Sequence, residues 1–272
     1  MKISVIITTY NRPDALQLIL QSLNDQNDKN FEVVIGDDGS REDTALMIRN
    51  MQKICNYKII HAFQEDRGFR LSRARNLAAS LATGEYLIFL DGDCIPRTSF
   101  VRAHRMLARR DCIVAGNRIL LSEKFTKQVL KYGIKVWLYS YKDWFKAYLK
   151  HYIKRLHPFI TFPYFHRIRL FNNSWKKVRG CNFALFKDEF IRVNGCDSDF
   201  EGWGYEDSDL AVRLIHAGIK IKSGRYATAV LHLWHKENDR TKQEHNLKKL
   251  KDRINSRIIK AENGIQELKD EE

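Results

Sequence analysis

The chain opens on an alternation of short apolar runs and amphipathic stretches. Residues 2–8 (KISVIIT) form a β-branched run without polar alternation, the pattern of a strand covered on both faces of a parallel sheet. Asn11-Arg12-Pro13-Asp14 then makes a turn, and Ala15, Leu18, Ile19 and Leu23 recur at helical spacing. Residues 31–36 predict a second strand, 42–53 a helix, 57–62 a third strand, 72–82 a helix of small residues, and 86–90 a fourth strand. Farther along, 178–186 and 227–233 read as strands on either side of a helix over 207–217. The expected fold is α/β, with a Rossmann-like, doubly wound and mostly parallel sheet that binds ligands at the carboxyl ends of its strands.

Two stretches leave this pattern. Over residues 126–164, Trp137, Tyr141, Trp144, Phe145, Tyr148 and Tyr152 share one helical face, while Lys142, Lys146, Lys150 and Lys154 line another at four-residue steps. That spacing predicts one long amphipathic aromatic and basic helix. From Asp239 onward a charged, helix-prone tail carries Leu247, Leu250, Ile254, Ile258 and Ile259 on one stripe. The expected organisation is a single catalytic domain over 1–240, with a helical tail over 241–272. Within the domain lie a first half (1–120), a helical insertion (124–177) and a second half (178–240).

Composition narrows the reading. A 272-residue chain with 44% apolar residues buries one sizeable core. Its net charge of +14 is unevenly placed: residues 124–177 hold 13 Lys/Arg and one acid, which is +12 and leaves 14 − 12 = +2 elsewhere. A polyanion binder usually spreads basic charge over its working face. The basic aromatic segment has two readings. Its aromatics enter a membrane interface while its lysines meet anionic headgroups, or its aromatics pack on the core or a partner subunit and leave the lysines in solvent. Five cysteines without a CxxC spacing point to reduced thiols in the cytoplasm. Residues 3–7 are too short for a signal-peptide core, and no run approaches the roughly 20 apolar residues of a membrane span. The expected location is cytoplasmic, with peripheral attachment to the inner face of the plasma membrane if the basic helix meets lipid.

Four polar clusters carry the chemistry. Asp91-Gly92-Asp93 ends the fourth strand, where two carboxylates one residue apart can share a hard divalent cation, although Asp-Gly-Asp alone is also a common turn. Asp37-Asp38-Gly39-Ser40 ends the second strand, placing a carboxylate to accept from a base N–H or to cap the next helix. Gly202-Trp203-Gly204-Tyr205-Glu206-Asp207-Ser208-Asp209 opens an apolar helix. Its acids suit a helix N-terminus, but a Trp between two glycines suits the face of a sugar ring, with a carboxylate nearby as general base. His232-Leu233-Trp234-His235 follows a strand and can complete a metal site that contains Asp93.

In order, Thr8-Thr9-Tyr10-Asn11-Arg12-Pro13, Asp37-Asp38-Gly39-Ser40, Gly84-Glu85-Tyr86 leading to Asp91-Gly92-Asp93, and Gly202-Trp203-Gly204-Tyr205-Glu206-Asp207 resemble family 2 inverting glycosyltransferases. The last block also resembles the β-1,4-galactosyltransferase and N-acetylgalactosaminyltransferase groups, and bacterial capsule and lipopolysaccharide enzymes combine the two halves this way. The resemblance covers about residues 1–120 and 178–240. It implies a GT-A fold and a UDP-sugar donor. Thr8, Tyr10, Arg12, Asp38, Arg70 and Asp91 then line the nucleotide, and Gly180, Asn182, Trp203 and Gly204 lie at the sugar and acceptor. Asp93 binds Mn²⁺ or Mg²⁺ with His232 or His235, and Asp91 is a shared ribose or metal contact. The galactosyltransferases carry Met-x-x-His at this last position, which puts His235 first. Glu206 holds sugar hydroxyls, and Asp207 is the catalytic base toward a glycan or glycolipid acceptor.

Two alternatives stand beside this reading. A sugar nucleotidyltransferase would carry a glycine-rich basic N-terminal phosphate loop, which residues 8–12 lack. A non-enzymatic polyanion or nucleic-acid binder would leave the acids at Asp37, Asp91 and Glu206 unexplained, because they repel phosphates unless a metal intervenes.

Overall fold

The computed structural model describes residues 1–156, 159, 171–172, 174–236 and 239–270. The N-terminal half follows the expected alternation: β1 (Ile3–Thr9), α1 (Pro13–Asn24), β2 (Phe31–Asp37), α2 (Glu42–Ile54), β3 (Ile59–Phe63), α3 (Leu71–Leu81) and β4 (Tyr86–Asp91). Then come β5 (Cys94–Ile95), α4 (Phe100–Leu107), β6 (Cys112–Ala115), β7 (Arg118–Leu120), α5 (Glu123–Tyr132), α6 (Tyr141–Leu149) and β8 (Phe171–Asn172). The C-terminal part adds β9 (Asn182–Phe186), α7 (Lys187–Arg192), α8 (Glu206–His216), β10 (Lys220–Ser223), β11 (Val230–His232) and α9 (Gln243–Ser256).

The main sheet runs β3-β2-β1-β4-β9-β6-β10-β8, and β5-β11-β7 form a small second sheet. Alternate residues of β1 feed opposite cores, with Ile3, Val5 and Ile7 on one face and Ile6 on the other. Every residue of β1 and β2 is buried, which for β1 its uninterrupted apolar run predicted. The sheet is mixed: β9 runs antiparallel to both β4 and β6. The register of the parallel strands then does the positioning. Thr9 pairs with Asp37 and Thr8 with Asp91, so both acidic strand ends open on one edge.

The insertion departs from one long helix. Gly133, at φ 59°, ends α5, and a Ser140–Asp143 capping box starts α6. Helical spacing does not register such a break, so the predicted aromatic face splits. Trp137 donates its indole N–H to Asp25 at 2.8 Å, Trp144 stacks on Phe159 at 4.3 Å, and Tyr152 stacks on Phe125 at 4.4 Å. Tyr141, Phe145 and Tyr148 remain exposed. Residues 157–158 and 160–164 of the predicted helix lie outside the described residues. The tail is also shorter than its stripe: α9 ends at Arg257, at φ 55°, and Leu250 is buried while Ile254, Ile258 and Ile259 are exposed. Arg253 ties α9 to α8 through Asp209 at 2.9 Å and to Asp197 at 2.6 Å. Among the described residues no helix is long and apolar enough to cross a membrane.

Candidate functional site

The site lies at the carboxyl edge of β1, β2 and β4. Gly92 makes this edge tight. Its N–H donates to Thr8 O at 2.8 Å, and a Cβ at this position would meet the same oxygen at 2.6 Å, so no larger residue fits. Asp93 emerges from that turn between two imidazoles, one ending β11 and one three residues beyond it, 3.2 Å from His235 Nε2 and 3.5 Å from His232 Nε2. Burial works against its charge, but the hydrogen bond from His235 and the neighbouring imidazoles hold the Asp93 carboxyl below its ordinary value. The same contact, against an opposing burial effect, raises His235, whereas burial lowers His232 despite Asp93. The Asp93 carboxylate thus has an imidazole on each of two sides, and carboxylate and imidazole are donors that suit a divalent cation.

Asp91 turns away from that point. Its carboxylate meets Arg75 at 3.1 Å, and the other arm of the same guanidinium reaches Glu206 at 3.3 Å. Arg75 is 2% exposed and comes from the middle of α3, whose small residues let the sheet approach closely. Burial outweighs Arg75 and raises Asp91. Burial, with Asp207 adding to it and Arg75 opposing, pushes Glu206 up to about 7. Asp207, in the first turn of α8, accepts the Gly180 N–H at 2.7 Å and the Ser208 hydroxyl at 3.1 Å. A Cβ at Gly180 would lie 2.6 Å from the Arg75 guanidinium, so a side chain there would push Arg75 from its place between the two carboxylates. Asp91, Gly180, Trp203, Glu206 and Asp207 together line a cavity of about 310 Å³ that also exposes Arg118. Trp203 stands at its rim under the Arg240 guanidinium, 4.7 Å from the ring centre.

The remaining predicted residues sort into two groups. Asp38 is buried, accepting the Arg70 backbone N–H at 2.8 Å and a hydrogen bond from the Gln64 side chain, and burial pushes its carboxyl up to about 6 against those bonds. Arg70 donates to Glu65 O at 2.6 Å, and its Nε has no partner among the described residues. Tyr10 is exposed and donates to Asp66 at 2.9 Å, Thr8 is buried in β1, and Arg12 pairs with Asp14 at 3.1 Å. Asp37, not Asp38, takes the turn role, accepting the Ser40 N–H at 2.8 Å and facing His61 at 2.9 Å, while α2 begins at Glu42, after Arg41 as an N-cap residue that makes no side-chain cap.

Asn182 corrects its expectation. It is fully buried beneath the site, accepting from His104 at 3.2 Å and donating to Asn117 O at 3.1 Å and Thr228 O at 2.6 Å, so its amide holds β9 to its neighbours and lines no sugar pocket. Arg75 is the functional residue that motif reading missed. The signal was present: a cation set among alanines on an apolar helix face is out of place unless it has buried acidic partners.

Residues 4–190 match the model of glycosyl transferase family 2, more than half of the chain. The chain belongs to glycosyl transferase family 2. Residues 157–236 of this family 2 chain also match the N-terminal domain of galactosyltransferase, as the tryptophan block foretold. It is 28% identical to chondroitin synthase of Escherichia coli over 84% of this chain and 34% of the relative. It is 30% identical to validoxylamine A glucosyltransferase of Streptomyces hygroscopicus subsp. jinggangensis over 82% of this chain and 53% of the relative. The chain thus spans about a third to a half of these relatives' length. Among solved structures, S. aureus TarS 1–349 in complex with UDP superposes with a TM-score of 0.62 at 16% identity, over 96% of this chain and 67% of that one. Mannosyltransferase PcManGT from Pyrobaculum calidifontis, in complex with GDP-Man and Mn²⁺, gives 0.57 at 18% identity over 87% and 58%. The family 2 chain has the GT-A fold.

Proposed function

We propose that this chain is an inverting, metal-dependent glycosyltransferase that moves a sugar from a UDP-sugar to a hydroxyl of a surface glycan or lipid-linked acceptor. The observation that carries the reading is the placement of His232 and His235 against the Asp93 carboxylate, two residues from Asp91 in a cavity that Glu206 and Asp207 also line. Asp38 and Arg70 hold the base end of the donor, and Tyr10 borders it. Asp93, His235 and His232 would hold the cation, with imidazoles favouring Mn²⁺ over Mg²⁺, which prefers an oxygen shell. A bound cation supplies neutralisation of the diphosphate as it leaves. Asp207 takes the proton of the acceptor hydroxyl. That oxygen bonds to C1 of the donor sugar from the face opposite the diphosphate, the C1–O bond breaks, and the anomeric centre inverts. The Gly180 N–H aims the Asp207 carboxylate, and Glu206, held by Arg75, binds sugar hydroxyls beside Trp203.

Thermal denaturation with UDP tests this reading. In Mn²⁺, UDP at a hundredfold excess over its Kd is expected to add about 2.7 kcal/mol, a Tm rise of about 5–10 °C. Chelation should remove the rise. Equal stabilisation without metal, or stabilisation by oligonucleotides in place of UDP, would sink it.

The exposed side of α6 supports a membrane-surface location. Trp144 and Ala147 anchor the helix inward, Tyr141, Phe145, Tyr148 and Leu149 form an outer aromatic and aliphatic strip, and Lys142, Lys146 and Lys150 flank it. Three lysines at an anionic surface contribute about 1 kcal/mol each. Vesicles of phosphatidylglycerol and phosphatidylcholine should therefore bind the protein, while pure phosphatidylcholine should not. Phe145→Glu with Tyr148→Glu should abolish binding and preserve the fold, because both side chains already face solvent. Unchanged binding by the double variant would remove α6 as the anchor.

A further inference from the structure

The cation site contains a ligand that neither motif reading nor the proposed reaction uses. In the β5–β11 register Cys94 lies directly opposite His232, and side chains of an antiparallel pair project to the same face. The Leu233 N–H donates to Asp93 O at 2.9 Å and locks this pairing beside the turn. The Cys94 thiol consequently points at Asp93, with Sγ 3.3 Å from Oδ1. One ligand atom each from Asp93, Cys94 and His232 lie within 4.8 Å of one another. In a tetrahedral zinc site, bonds of about 2.0–2.3 Å leave ligand atoms on the order of 3.5 Å apart, so small side-chain rotations close the set. Asp93 and His232 keep part of their surface open, 16% and 11%, which gives an ion its way in.

We propose that Asp93, Cys94 and His232 form a mixed oxygen, sulfur and nitrogen site for a thiophilic divalent cation of the zinc class. Hard cations do not seek sulfur, whereas Zn²⁺ and Co²⁺ accept all three donors. As the metal–sulfur bond forms, the thiol proton passes to solvent. Because Asp93 belongs to both donor sets, a zinc-class ion and Mn²⁺ compete for one place. Only this competition rests on the transferase reading; ligation by Cys94 stands without it.

The test is a Co²⁺ titration of the reduced full chain, read in the near-ultraviolet thiolate-to-cobalt charge-transfer band. Wild type should give a saturable band at one Co²⁺ per chain, displaced by Zn²⁺. Cys94→Ser should lose the band and Cys181→Ser, a neighbouring thiol outside the set, should keep it. His232→Ala, at the open end of the set, should weaken Co²⁺ binding about tenfold or more. No band in wild type, a band that survives Cys94→Ser, or unchanged affinity in His232→Ala overturns the proposal. Mn²⁺-dependent UDP stabilisation of the same wild-type sample separates the two readings. Stabilisation without the band removes the sulfur site alone, and the band without stabilisation removes the transferase site alone.

Discussion

Replacing Arg75 by Met is expected to destabilise the protein by about 3–5 kcal/mol, the usual cost of removing one member of a buried ion-pair group. Arg75 is 2% exposed and holds two carboxylates, Asp91 at 3.1 Å and Glu206 at 3.3 Å. Met retains much of the volume, so lost charge rather than a cavity should dominate. The loss should depend on pH in a defined direction. Glu206 already titrates near 7, because burial and Asp207 outweigh the pull of Arg75. Its folded value lies above its unfolded value, so the unfolded chain ionises first and stability falls as pH rises from the ordinary carboxyl range to about 7. Without Arg75 that value moves higher still, and the deficit of the variant against wild type should grow with pH. Urea unfolding at pH 6 and pH 8 checks this, and a pH-independent deficit would mean that Arg75 acts by packing alone. In assays of UDP-sugar turnover the acid limb of the pH profile should move to higher pH in Arg75→Met, and Arg75→Lys should restore part of the shift.

What could be read from the residues, and what could not, follows from the range of the interactions involved. The runs over 2–8, 31–36 and 86–90 announced strands, and the first announced a buried one because burial on both faces leaves no alternation. The acids at Asp38, Asp91, Asp93 and Asp207 were visible because each sits at an element end, where local chemistry is concentrated. Arg75 stayed hidden because its partners lie 16 and 131 residues away along the chain. Asn182 was misplaced for the same reason. Its neighbours Gly180 and Cys181 do line the cavity, but β9 begins at Asn182, and bonds to Asn117, Thr228 and His104, 65, 46 and 78 residues away along the chain, turn its amide into the core. The aromatic stripe failed because α6 spans only Tyr141–Leu149: Trp137 falls before the Ser140 cap and Tyr152 after His151, at φ 54°, and within α6 Trp144 packs inward while Tyr141, Phe145 and Tyr148 stay exposed.

Asp207→Asn is expected to lower turnover about 10²–10⁴-fold while leaving donor binding close to wild type. The substitution keeps one oxygen in the place of Oδ2 to accept the Gly180 N–H, now at 2.7 Å, while the amide NH2 in the place of Oδ1 donates to the Ser208 hydroxyl oxygen, so the loop and the start of α8 should keep their places. What disappears is the capacity to take a proton. Asp207 and Glu206 are adjacent acids with different surroundings: Arg75 holds Glu206, whereas Asp207 meets a backbone amide and a hydroxyl. A carboxylate without a fixed cation is the one free to share a proton with an incoming hydroxyl. Glu206→Gln, by contrast, should raise KM for the sugar substrates more than it lowers kcat, because it weakens binding and leaves the base intact. Kinetics on both variants, with Mn²⁺-dependent UDP stabilisation as the control for an intact donor site, decides the assignment. Near-normal kcat in Asp207→Asn together with collapse in Glu206→Gln would exchange the two roles and make Glu206, poised near neutrality, the base.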